Sequence, residues 1–115
     1  MQFDWSNQNY SRLPVREKSK ISFIDISEIL YLQCDGYLTT IYLVNKENIS
    51  ISKLLKHFEE ELWQYGFRRA NHNTLVNTQH IDAIKTSNKQ WIIHIKDVEM
   101  KISRRKFYLF RTLLE

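Results

Sequence analysis

The chain predicts a mainly β fold with two helices, and three observations carry that expectation. Short runs rich in β-branched and aromatic residues recur from Ile21 onward, separated by turn-forming residues. A stretch after Ser52 and another after Ser103 repeat their apolar residues at helical spacing. The 115 residues are 43% hydrophobic and 26% charged, which suits one self-sufficient core and excludes a disordered chain.

Residues 1–15 are polar with scattered aromatics (Phe3, Trp5, Tyr10) and end near the only proline, Pro14, so they are expected to form a leader ahead of a domain over 16–115. Strands are expected at Ile21–Ile24, Ile29–Leu32, Tyr37–Val44 and Ile49–Ile51, with turns at Asp25, Asp35-Gly36 and Asn45–Asn48. Ser52 opens a helix in which Leu54, Leu55, Phe58 and Leu62 share a face. Gly66 is placed to end that helix, and Glu59, Glu60 and Glu61 lie largely on a solvated face. A cationic strand, Phe67–Ala70, and further strands at Leu75-Val76, Ile81–Ile84, Trp91–Ile95 and Val98–Ile102 follow, the last two joined by a turn near Lys96-Asp97. Ser103 can cap a final helix with Phe107, Phe110 and Leu114 on one face.

The net charge of +4 is unevenly spread: residues 21–66 carry −4 and residues 101–115 carry +4. Such a distribution implies one surface facing a polyanion. Cys34 is the only cysteine, so no internal disulfide forms, and a reducing, cytoplasmic setting is expected. Its default reading is a structural thiol, with redox sensing as the sharper alternative. No segment has the length of apolar sequence that a membrane helix or a signal peptide needs, so no membrane partner is expected.

Two runs crowd donors and cations between apolar elements: Phe67 to Asn77 and Lys101 to Phe107. Asn71, His72, Asn73 and Asn77 offer amide and imidazole groups able to read base edges, while Arg68, Arg69, Arg104, Arg105 and Lys106 can neutralise phosphates or reach guanine. Cations at the start of a helix oppose its dipole and so hint at an external anion. Competing readings are a turn in which the asparagines satisfy their own backbone, cations paired with acids across the surface, and a structural bond from Asn77. Lys85 and Lys89 stand apart from both runs and would mark a different face.

This pattern resembles the LytTR DNA-binding domain of bacterial transcription regulators, over roughly residues 16–115. The resemblance rests on Ile29-Leu-Tyr-Leu32 followed by Cys34-Asp-Gly-Tyr37, the helix near Ser52, Phe67-x-Arg69 leading into Leu75-Val-Asn77-x-x-x-Ile81, and Ile102-Ser-Arg-Arg-Lys before the last helix. It implies an elongated fold of stacked β-sheets whose loops enter successive major grooves of double-stranded DNA, on paired sites about a helical turn apart, with a homodimer on DNA. Carried over by position, the DNA-contacting loops fall on Tyr37, on Asn71, His72 and Asn73, and on Arg104 and Arg105; by their charge, Arg69 and Lys106 are expected at phosphates. Asn71 replaces the family's common His and His72 occupies a position that is often cationic, so the sequence preference does not carry over.

His57, His72, His80 and His94 lack paired metal spacing, and no nucleophile elbow, phosphate-binding glycine loop or acid–base pair is present; neither a metal, a cofactor nor enzymatic activity is expected. LytTR regulators often carry a receiver domain, for which the leader is too short, so a response-regulator-like input is expected from elsewhere, the chain being either a stand-alone regulator that senses by partner binding or abundance or a fragment of a longer protein. The alternative function is a protein-interaction module that keeps the fold but not DNA readout.

Overall fold

A computed structural model describes residues 11–114, and among them ten strands form three antiparallel sheets. β1 (Arg12–Glu17) pairs with β2 (Lys20–Asp25) as a two-stranded sheet. The central sheet has the order β5-β4-β3-β7-β6, built from β3 (Ile29–Asp35), β4 (Leu38–Leu43), β5 (Asn48–Ser52), β6 (Phe67–Asn71) and β7 (Thr74–Asn77). The third sheet, in the order β10-β9-β8, comprises β8 (Ala83–Ser87), β9 (Gln90–Ile95) and β10 (Val98–Ile102). Helix α1 (Leu55–Leu62) joins β5 to β6, and a 3-10 helix (Arg104–Leu114) follows β10.

The middle of the central sheet, β3 and β7, is buried on both faces, which explains the near-continuous apolar run of β3. Ile29 and Leu32 pack with Leu13, Val15, Ile24, Leu55, Phe58 and Leu62 in a core shared by the β1–β2 hairpin and α1. Leu30 and Tyr31 join Val76, Ile93, Ile95, Met100 and Phe110 in a second core under β8–β10 and the 3-10 helix. A register shift between Ile29 and Tyr31 accompanies the switch of face. Tyr31 stacks on Tyr42 at 4.6 Å, and burial first, then Tyr42, raises its pKa above the usual 10.0. Asn77 is fully buried and donates to the carbonyl of Ile29 at 2.9 Å while accepting from Gln79 N at 3.1 Å, the structural role weighed for it. His80 bonds the carbonyl of Ser27 at 2.6 Å, which places it in the scaffold.

Several elements differ from expectation for local reasons. β1 starts at Arg12, inside the segment read as a leader: Leu13 and Val15 alternate with exposed Arg12, Pro14 and Arg16, and that alternation of two apolar residues was too short a signal to read. Phe3, Trp5 and Tyr10 lie outside the described residues. Ser52 ends β5 and does not open the helix; α1 begins at Leu55 without a side-chain cap, and Leu54 is exposed. Thr39 Oγ1 donates to the Lys53 carbonyl at 2.6 Å and holds that connection. Gly66 does terminate the helical stretch, at φ 89°, after a short 3-10 turn. β8 begins at Ala83, two residues later than the apolar pattern implied. In the last helix, Lys106 N donates to the carbonyl of Ser103 at 3.0 Å, a three-residue step that puts Phe107 and Phe110 on one face.

Candidate nucleic-acid interface

Three connections meet at one end of the molecule, and backbone bonds stitch them together. The β3–β4 turn is Gly36-Tyr37, with Gly36 at φ 61° in the first central position, where a two-residue hairpin favours glycine. Tyr37 therefore stands at the tip, 79% exposed. Because β3 pairs with β7, the β6–β7 turn, His72-Asn73, lies beside it, roughly 10 Å away at two strand spacings. Cys34 N donates to the Asn73 carbonyl at 2.9 Å, tying the two tips. Ser103 N donates to the Ala70 carbonyl at 2.8 Å, tying the start of the 3-10 helix to the second hairpin.

Within this frame the expected site residues separate into two groups. Tyr37, His72, Asn73, Arg104 and Arg105 are exposed, and Arg104 and Arg105 make no ion pair among the described residues. Their side chains remain available to a ligand. Asn71 is occupied: its Nδ2 donates to the Lys101 carbonyl at 2.8 Å and its Oδ1 accepts from Asn73 N at 2.9 Å. It shapes the turn and joins it to β10. Lys106 is half-buried.

Arg69 is placed inward, in contrast to a free cation. Its Nη2 lies 3.0 Å from Glu59 Oε1 and its Nη1 donates to the His72 carbonyl at 2.9 Å, with the side chain only 12% exposed. Part of the acidic helix face is thus used up in this pair. Arg68 is half-buried and folds back along the surface, donating to the carbonyls of Trp63 and Phe67 and lying over the exposed Trp63 ring at 3.5 Å. Burial lowers the Arg68 pKa, although a guanidinium stays charged. Cys34 is half-buried against the first core.

The β8–β9 turn, Asn88-Lys89, lies at this same end, because Asn88 and Lys89 share a cleft with Asn71 and Arg104. Lys89 therefore does not mark a different face. The signal was present in the polar run Ser87 to Gln90 between two apolar strands, a two-residue hairpin pattern.

Packed antiparallel sheets that bring three connections to one end, the last followed by exposed Arg104 and Arg105, define an all-antiparallel β domain with a loop-lined face. Residues 19–115 match the model of the LytTr DNA-binding domain family, and the chain belongs to that family. This is a DNA-binding family of transcription regulation, not a catalytic one. A solved LytTr DNA-binding domain from Bacillus cereus superposes with a TM-score of 0.74 at 21% identity, over 90% of this chain and 96% of that one, which shows the fold. The sensory transduction protein LytR of Staphylococcus saprophyticus is 27% identical over 73 residues, 64% of this chain, and the match spans 28% of that relative's length. No helix among the described residues is long and apolar enough to cross a membrane.

Proposed function

We propose that this chain binds double-stranded DNA in a sequence-specific way to regulate transcription, with its three stitched tips entering successive major grooves. The observation that carries the reading is the separation of side chains at that end. Tyr37, His72, Asn73, Arg104 and Arg105 are free, while the groups that hold the tips in place, Asn71 and Arg69, are spent on internal bonds. A rigid display of free donors reads base edges at low entropic cost.

In this arrangement Arg104 or Arg105 takes a guanine edge through two parallel bonds while the other holds phosphate, His72 and Asn73 probe the neighbouring bases, and Lys106 adds a phosphate contact. Arg69 supports the second tip through the His72 carbonyl and does not itself need to reach phosphate. Paired sites about one helical turn apart would place two copies on the same face of the duplex, as a homodimer on DNA.

Fluorescence anisotropy across a salt series, using a duplex selected from a random pool and a scrambled control, tests the reading. Tight binding to the selected duplex, with affinity falling linearly on a log–log salt plot, is expected. No selection, and no binding at low salt, would leave the protein-interaction module as the surviving function.

A further inference from the structure

A cleft of about 670 Å³ lies between the third tip and the β8–β9 turn, shared by Asn71, Lys101 and Arg104 with Asn88, Lys89 and Gln90. Its floor is apolar: Trp91 and Phe107 stack there at 5.3 Å. Lys89, Lys101 and Arg104 are exposed, none of them makes an ion pair among the described residues, and no carboxylate is among the cleft's lining residues. In the turn that carries Lys89, Asn88 (φ 51°) and Lys89 (φ 63°) both take the left-handed conformation that a two-residue type I′ hairpin requires.

Left-handed lysines do not by themselves mark a site, because Lys46 and Lys96 share the conformation. Acids surround those two: Glu47 follows Lys46, and Lys96 is followed by Asp97 and donates its backbone N–H to Asp82 at 2.8 Å. Lys89 differs in facing other cations across an apolar floor. A sugar–phosphate strand has that same division, with an apolar deoxyribose face and an anionic edge.

We propose that this cleft seats a stretch of DNA backbone, deoxyribose against Trp91 and Phe107 and phosphate between Lys89 and the Lys101–Arg104 side. The β8–β9 turn is then a fourth DNA contact, one that fixes the register of the third tip without reading sequence. This rests on the read-out by the tips described above.

Lys89→Gly removes the cation while keeping a residue that favours positive φ, so the hairpin is preserved. Lys96→Gly makes the same change at the opposite end of β9, about 20 Å away. On both the selected and the scrambled duplex, Lys89→Gly should lower the log–log salt slope by about 0.9, so that the loss of affinity between about 50 and about 200 mM salt shrinks roughly 3.5-fold. Base preference should not change, and Lys96→Gly should match the parent protein. Replacing single phosphates with neutral methylphosphonates should then reveal one backbone position that weakens the parent protein and leaves Lys89→Gly unaffected. If Lys89→Gly keeps the parent's slope and methylphosphonate profile while Arg104→Ala weakens the selected site, the clamp is wrong and the tips stand. Equal changes in Lys89→Gly and Lys96→Gly also overturn the clamp, since the effect would then be one of net charge. If the parent protein selects no site and Arg104→Ala changes nothing, the read-out itself fails and the clamp with it.

Discussion

The chain contains the dipeptide Arg-Arg twice, at 68–69 and at 104–105, and the two copies end in opposite situations. Arg68 and Arg69 lie early in β6 beside the end of α1, where backbone carbonyls and Glu59 lie within reach, and both guanidinium groups are engaged by the protein itself. Arg104 and Arg105 follow β10 into the 3-10 helix, where no acid among the described residues pairs with them, and both remain exposed. Composition is identical, yet one doublet builds the tip that the other accompanies. What separates them is the neighbour that the fold delivers.

The largest effect is expected from Arg69→Ala. Removing it leaves Glu59 partly buried without its partner and frees the His72 carbonyl, a loss of about 3 kcal/mol at the lower end of the range for breaking a buried pair. Urea unfolding measures this as a lower midpoint at unchanged slope. Arg104→Ala and Arg105→Ala should fall within about 0.5 kcal/mol of the parent in the same assay. Equal losses at the two doublets would erase the contrast.

Binding should invert the ranking. Arg104→Ala or Arg105→Ala, whichever reads guanine, should cost about 1–3 kcal/mol on the selected duplex and little on the scrambled one, whereas the phosphate-bound member weakens both duplexes alike. Anisotropy on the two duplexes separates these roles. Should neither substitution alter affinity, the free doublet is a solvated surface feature.

The contrast extends to the second tip at smaller scale. Asn71→Ala removes two bonds, at about 1 kcal/mol each, and should lower both stability and affinity for any duplex. His72→Ala should leave the unfolding midpoint in place and change selectivity alone. Cys34→Ser should bind DNA as the parent does once folding is verified, because the link to the second tip runs through the Cys34 backbone N–H.

Alkaline pH probes the scaffold that carries both doublets, through Tyr31 in the second core. Tyr31 has a raised pKa, its neutral form being favoured by the folded state. Its contribution is fully present below the usual pKa of 10.0 and is lost as pH rises through the higher folded value. Tyr31→Phe should therefore flatten the fall in unfolding midpoint above pH 10, measured by urea titration at a series of pH values.

The sequence by itself determined the fold class, most of the strands, the helical stretch ended by Gly66 and the family, because apolar period and turn chemistry are local properties that survive without a partner. Ile29 to Leu32 read as a strand for that reason. Local pattern did not show which face each of these residues takes, nor that Leu13 and Val15 reach back to complete a core, since both depend on sheets that meet only in three dimensions. The same limit applied at the interface: the run from Arg68 to Asn73 displays six polar or small side chains in sequence, but tertiary structure decided that Arg69 and Asn71 are consumed and His72 and Asn73 displayed. A charge or an amide is available only where nothing else has satisfied it. That depends on Glu59 ten residues before Arg69 and on the Lys101 carbonyl thirty residues after Asn71, both brought close by folding.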